Sequence, residues 1–569
     1  MARTTLFCAS TLFGAMTLAA ACDEGRFGTG RRILLVSNNA AIPEITPALD
    51  ETPGFAGIRD RFDEVVSWNA IIAPLHPSEW KARSVEVPML GRLLSARLGE
   101  PDELVVESIA VPPSRTLAGL LKDLPISVYS DGLMSYGPTR IPLPAEIAGR
   151  VTRLLHLDLV PGLVPLLLSE YGVPPEVVSG SAFTHVIGQT GNDVPSVAAS
   201  EMPAGAFPDA APAGLSDVAV LPGAASDEMP ARIPVAIPSG PAASEGRPIA
   251  EPSSREPSSR EPSIEAAPRS EAGREGPRAD GPGWEAVILG QYLSSLGILT
   301  SAEEAGLHET MLRGLAARGH RHVVFKPHPA AGRRHARELR PLAEELGVEL
   351  LITPGTIPAE VCFAVHRPRL VVGCFSTALM TARRFFDIPV ATVGGDLVLE
   401  RLSPYENSNR IPATIADAAL PRLAADGSIE EPPPVDLSAL VRAVGYCMRS
   451  SAHPDLRDAA EAYIGESGTA RYFKHRRLES LGLLPAPEPE PITGRRRPEP
   501  ERTRKPVRGQ ERDLVPPTTS LPSVAPATEG RSEPGSPSQE RESPPGAERA
   551  PGSEPTKTPA SRLRRFLSR

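Results

Sequence analysis

The chain has 569 residues, more than one domain of ordinary size needs. Its formal net charge of −9 gives no electrostatic ground for a nucleic-acid binder. Its five cysteines, scattered and odd in number, exclude a disulfide framework and a CxxC metal site, which fits a reducing cytoplasm.

The 65 prolines are more than folded domains usually carry, and the excess is concentrated from Pro195 to Gly283 and from Pro485 to Ala560. Both stretches are rich in Ser, Glu, Arg and Gly and nearly free of aromatics. They bury too little apolar surface to offset chain entropy, so both are expected to be disordered. The first contains a short repeat, Glu251-Pro252-Ser253-Ser254-Arg255 then Glu256-Pro257-Ser258-Ser259-Arg260, the mark of a flexible mixed-charge spacer. The remaining roughly 400 residues suffice for two α/β domains. The expected division is 1–190, a linker over 191–283, a second domain over 284–484 and a tail over 485–569.

At the start, Met1-Ala2-Arg3 leads into an apolar run ending Ala19-Ala20-Ala21-Cys22, the outline of a signal peptide with a lipoprotein-like site at Cys22. Ser10, Thr11, Gly14 and Thr17 interrupt that run, and Arg32-Ile33-Leu34-Leu35-Val36-Ser37 follows as a second strand. The pattern therefore predicts strand Thr5–Ala9, a turn at Ser10-Thr11 and a helix from Leu12 to Cys22, an opening βαβ unit. Further strands are expected at Ile33–Ser37, Glu64–Trp68, Leu104–Ile109 and Ile126–Tyr129, with helices at Pro88–Leu98 and Ser114–Leu121. Arg150–Leu159 and Pro165–Tyr171 are expected to finish the first domain. Alternation of this kind implies a parallel sheet with helices on both faces.

The pattern resumes at Trp284. Strands are expected at Ala286–Leu289, His322–Phe325, Glu349–Thr353, Arg369–Val372 and Pro389–Val393. The helices between them fall at Ser301–Arg318, Gly332–Leu346, Pro358–Phe363 and Ser376–Phe385. Two doubly wound, Rossmann-like units facing a cleft give a GT-B-like α/β architecture. The chain ends in Ser561-Arg562-Leu563-Arg564-Arg565-Phe566-Leu567-Ser568-Arg569, whose arginines and apolar residues at helical spacing suit peripheral contact with an anionic membrane surface.

Polar groups cluster just past strand ends, where open α/β sheets bind ligands. Lys326-Pro327-His328-Pro329 follows the run His322-Val323-Val324-Phe325, and its two prolines fix the loop so that His328 has little freedom to lose on binding. A His there can donate a hydrogen bond or a proton to a departing phosphate oxygen; the bland alternative is a turn with a surface His. Ser376 and Thr377 follow Leu370-Val371-Val372-Gly373 and open a helix, a position suited to phosphate and also to simple capping. Glu360 at the start of a short helix can accept ribose hydroxyls or merely favour the helix dipole. Gly290-Gln291 ends the strand at Ala286–Leu289. In the first half, Tyr129-Ser130-Asp131-Gly132 puts Asp131 past a strand end, where a carboxylate can act as general base and where Asp-Gly is also an ordinary turn.

The Asp-Gly strand end, the His-Pro loop and the later hydroxyl pair, in this order, resemble the signatures of bacterial sialyltransferases, and most of all the α-2,8-polysialyltransferase family. Ala9-Ser10-Thr11-Leu12-Phe13-Gly14 and Tyr405-Glu406-Asn407-Ser408-Asn409-Arg410-Ile411-Pro412 also look like family segments. The resemblance covers about Thr5–Thr190 and Trp284–Leu484. It implies an inverting, metal-independent transfer of sialic acid from CMP-sialic acid to a glycan hydroxyl, with no cofactor beyond the donor. By it Asp131 is the base and His328 assists the leaving CMP. Lys326, His328, Pro329, Ser376 and Thr377 border the phosphate, Glu360 the ribose, and Gly290 and Gln291 the nucleotide pocket. The cysteine usage and the basic chain end together lead to the expectation of a cytoplasmic protein, peripheral at the inner face of the membrane. In one respect the chain departs from the family: Ser130 stands where the motif usually has a first acidic residue. Two other readings compete: a CDP-glycerol-type glycerophosphotransferase, for which His76-Pro77 is the only further His-Pro in the first half, and a non-catalytic nucleotide- or glycan-binding protein.

Overall fold

The computed structural model describes residues 3–130, 132–192, 284–328, 331, 337–468 and 471–484. All fall within one unit, Met1–Glu488. The expected linker and tail, with the basic segment 561–569, lie outside the described residues apart from 191 and 192.

The first half is a seven-stranded sheet of β1 (Thr4–Ala9), β2 (Arg31–Val36), β3 (Glu64–Ser67), β4 (Glu103–Val106), β5 (Ile126–Ser130), β6 (Val151–Leu157) and β7 (Pro175–Val178). Their order is β3-β2-β1-β4-β5-β6-β7, every pair parallel. The second half repeats the plan with β8 (Ala286–Leu289), β9 (His322–Lys326), β10 (Glu349–Ile352), β11 (Leu370–Gly373), β12 (Val390–Thr392), β13 (Arg422–Leu423) and β14 (Ile429–Glu430). The order is β10-β9-β8-β11-β12-β13-β14, parallel except for the β13–β14 hairpin.

The central strands are buried on both faces, which is why they read as unbroken apolar runs. Alternate residues of β1 serve different cores. Phe7 and Ala9 join the helices Leu12–Asp23 and Gly180–Asn192, while Leu6 and Cys8 join Trp68–Ile72, Val87–Leu98 and Ser114–Leu120. The helix Leu12–Asp23 starts where the Thr11 hydroxyl accepts the Gly14 N–H at 3.0 Å. Ten of its twelve residues are buried, so it carries no polar face. That is the physical reason this stretch has the composition of a signal peptide: a helix covered on every side is apolar all round. All five cysteines are buried and unpaired.

Past Tyr171, where the last expected element of the first half ends, the chain adds β7 and the helix Gly180–Asn192. That helix packs between the halves. Phe183, fully buried, meets Phe13 edge-on at 5.3 Å between ring centroids and Phe385 at 5.7 Å. A Cβ on Gly180 would stand 2.6 Å from the Phe385 ring, so only glycine permits this approach.

The carboxyl edges of the two sheets face each other. The Leu133 N–H, three residues past β5, donates to Thr377 Oγ1 at 3.3 Å. Arg384 pairs with Asp158, just past β6, at 3.1 Å. Arg140 donates to Ser408 Oγ at 2.8 Å, and Arg449 donates to the Arg140 carbonyl. The helix Leu437–Met448 also reaches the first half, where Gly445 meets Leu166.

Candidate active site

In each sheet, successive strands run outward in opposite directions from one pair of neighbours: β1 and β4 in the first, β8 and β11 in the second. The crevice at such a switch point is where open α/β sheets take ligands. Gly290 and Gln291 follow β8, and Cys374 to Thr377 follow β11, so these predicted residues flank the second switch point. The Gln291 side-chain oxygen accepts the Phe375 N–H at 3.2 Å and ties the two loops together. Gly290 donates its N–H to the Lys326 carbonyl at 2.9 Å, and a Cβ there would lie 2.6 Å from the Phe325 ring.

Ser376 is the N-cap of the helix Thr377–Phe386, its hydroxyl accepting the Ala378 N–H at 3.3 Å. Thr377 Oγ1 faces the first half, at Leu133. The two hydroxyls thus have different tasks: one starts a helix, the other bridges the cleft. Asp131 and Pro329 lie outside the described residues, whereas Gly132, next to Asp131 in sequence, sits so close to Thr377 that a Cβ on it would stand 3.3 Å from Thr377 Oγ1.

Lys326 ends β9 almost wholly buried, its ammonium donating to the Pro327 carbonyl at 2.8 Å and the Gly355 carbonyl at 3.1 Å. Burial pushes its pKa down to about 8, partly opposed by the charges of Cys362 and Glu360. The ring of His328 stacks on Tyr292, centroids 4.1 Å apart and planes tilted by 37°. Burial and the Lys326 charge push its pKa down to about 3, so the imidazole is neutral at physiological pH. Glu360 is 4 % exposed and accepts the Thr381 hydroxyl at 2.7 Å. Burial pushes its carboxyl up, Thr381 and Lys326 opposing. Lys326, Glu360 and Thr381 thus form a buried polar layer beneath the loops.

Two contributors escaped sequence reasoning. Tyr292, directly after Gly290-Gln291, supplies the face on which His328 rests. Glu304, fully buried, accepts the Leu293 and Ser294 N–H groups at 2.9 Å each and fixes the loop carrying Tyr292. An aromatic at a strand end was a usable signal for Tyr292. Nothing in the adjacent pair Glu303-Glu304 distinguishes the carboxylate in the capping box from the buried one. His76 has both ring nitrogens engaged by backbone, at Ala40 and Ser78, which turns it away from any ligand.

The late segment Tyr405–Pro412 closes the cleft side. Arg410, fully buried, lies 4.1 Å over the Tyr405 ring and donates to the carbonyls of Leu402 and Tyr405 at 2.8 Å each. Ile411 packs on Gly137 of the first half.

Two doubly wound halves, carboxyl edge to carboxyl edge, give the chain the GT-B architecture. The sequence model of alpha-2,8-polysialyltransferase matches residues 5–198 and 275–394, more than half of the chain. The chain belongs to the alpha-2,8-polysialyltransferase family. It is a glycosyltransferase, and as such takes a nucleotide-sugar donor and a glycan acceptor. Among curated proteins none matches the chain. Among solved structures, MurG of Acinetobacter baumannii is similar at 9 % identity and a TM-score of 0.33, over 80 % of this chain and 94 % of that one. UDP-GlcNAc 2-epimerase of Methanocaldococcus jannaschii is similar at 9 % identity and a TM-score of 0.37, over 78 % and 99 %. A glycosyltransferase of Rickettsia africae is similar at 9 % identity and a TM-score of 0.31, over 85 % and 97 %. With scores this low the assignment rests on the two sheets and the family match. No helix among the described residues is long and apolar enough to cross a membrane.

Proposed function

We propose that the chain transfers sialic acid from CMP-sialic acid to a glycan hydroxyl, with inversion and without a metal. The observation that supports this most is the contact of Leu133 with Thr377, in a chain of this family. It joins the turn that follows Asp131 to the hydroxyl-bearing loop at the opposite switch point. Asp131 takes the proton of the acceptor hydroxyl as its oxygen attacks the anomeric carbon. The bond from that carbon to the CMP phosphate oxygen breaks, and the electron pair leaves with CMP. His328 donates a hydrogen bond to that oxygen. Because burial and the Lys326 charge keep its imidazole neutral, it becomes a proton donor only as the anionic phosphate raises its basicity.

A monophosphate leaving group carries little charge, and fixed donors can hold it without a divalent ion: the Lys326 ammonium, the Ser376 and Thr377 hydroxyls and the N-terminus of their helix. Gln291 and Gly290 border the cytidine side. Glu360 meets the ribose through the oxygen not engaged by Thr381. The test is CMP release from CMP-sialic acid, with chelator and an α-2,8-linked sialic acid oligomer, by wild type, Asp131→Ala and His328→Ala. Metal-independent release lowered roughly 100-fold or more in both variants is the expected result. Binding of CMP without release would favour a non-catalytic binding protein, and release from CDP-glycerol instead would move the reading to a glycerophosphotransferase.

A further inference from the structure

The second switch point carries the expected nucleotide residues, while the first, between β1 and β4, has been assigned no ligand. Two polar side chains meet there. Ser10 directly follows β1 and Glu107 directly follows β4, and the Ser10 hydroxyl donates to Glu107 Oε2 at 3.0 Å. Strand pairing places Glu107 two positions beyond the Phe7–Val105 pair of β1 and β4 and one beyond the Val106–Val128 pair of β4 and β5. It therefore stands level with Tyr129, two residues before Asp131. This edge of the sheet is the one that meets the second half through Leu133 and Thr377.

Resting on the proposed transfer reaction, we propose that Glu107 and Ser10 form the acceptor subsite, binding a hydroxyl pair of the terminal acceptor sugar at the first switch point. An ionised carboxylate has acceptor sites for about four hydrogen bonds, far more than one serine hydroxyl uses. Ser10 and Glu107 are both half-buried, so the pair is open to a ligand on one side, while partial burial pushes the Glu107 carboxyl up against the hydrogen bond from Ser10. Burial and the Glu107 charge push the thiol of Cys8 on β1 up to about 12, so it stays neutral beside the carboxylate. Desolvating a carboxylate without full compensation is costly, and such groups gather where a ligand completes the shell. Sugar hydroxyls supply the missing donors. A purely structural tie between β1 and β4 would be met as well by an apolar pair.

The experiment is titration of the full-length protein with an α-2,8-linked sialic acid oligomer, followed by calorimetry, for wild type, Glu107→Ala, Glu107→Gln and Ser10→Ala. CMP affinity in each variant reports a folded chain. Glu107→Ala is expected to weaken oligomer binding roughly tenfold or more, and Ser10→Ala by a smaller factor in the same direction. Glu107→Gln, which keeps one acceptor oxygen, should recover part of the loss. In turnover the effect should fall on the acceptor KM more than on kcat. Oligomer affinity unchanged in folded Glu107→Ala, or in both Glu107→Gln and Ser10→Ala where the alanine variant does not fold, overturns the proposal. Wild-type oligomer binding that Glu107→Ala weakens, without CMP release from CMP-sialic acid, would sink the transfer reading and keep this subsite.

Discussion

Lys326 offers a test in which stability and ligand affinity move in opposite directions with pH. Its folded pKa, about 8, lies below the ordinary 10.5. The unfolded chain therefore binds more protons through that window, and stability rises with pH across it. Integrated between about pH 7 and about pH 10, the gain from this one residue is about 2–3 kcal/mol. Over the same range its protonated fraction falls from about nine-tenths to about one-hundredth, so an anion that needs the ammonium binds about 90-fold more weakly. The perturbation is Lys326→Met, which keeps the length of the side chain and removes the charge. Urea unfolding and CMP titration of both proteins at the two pH values give the comparison, and taking the difference cancels every other titrating group. Wild type should gain stability relative to the variant as pH rises while losing its advantage in CMP affinity. A wild-type CMP affinity that stays flat over this range, or falls equally in Lys326→Met, would refute the reasoning.

Thr377→Val removes the hydroxyl that accepts Leu133 and should cost about 1–3 kcal/mol of stability together with CMP affinity, whereas Thr377→Ser should keep both; thermal unfolding and CMP titration read the two effects. Phe183→Ala should destabilise by about 3–5 kcal/mol, since the ring is fully buried between Phe13 and Phe385. Phe183→Leu should cost no more than about 1.5 kcal/mol, because it conserves most of the volume. Equal loss in the two Phe183 variants under urea would count against a packing role for this ring.

Much of this architecture was readable because the central strands are short apolar runs bounded by helices of clear period. Thr5–Ala9, Ala286–Leu289 and His322–Phe325 differ from the observed strands by no more than one residue at either end. The expected helix Ser376–Phe385 likewise runs Thr377–Phe386, with Ser376 as its cap. The helix Gly180–Asn192 was not legible. Three glycines, two threonines and two β-branched aliphatics give it poor intrinsic propensity, and packing against both halves overrides that. The edge strand Pro175–Val178 carries Pro and Glu and so lacks the apolar signature of its neighbours. For the site, loop positions at strand ends were legible because topology fixes them. The burial of Lys326 and Glu360 was not, since it depends on Gly355 and Thr381, more than twenty residues away in sequence. Glu107 was read only as part of a strand, because a carboxylate's solvation depends on neighbours that one sequence segment cannot show.

The helix Gly180–Asn192 has a mechanical consequence. Its Phe183 is clasped by Phe13 of one sheet's cover and Phe385 of the other's, and Gly180 lets that second ring press against bare backbone. A lever needs a fulcrum that both arms share, and this helix is built as one. Any swing that widens the gap at Thr377 has to roll around the Phe183 side chain, so the reach of the two arms is set by three interlocked rings and a missing methyl group.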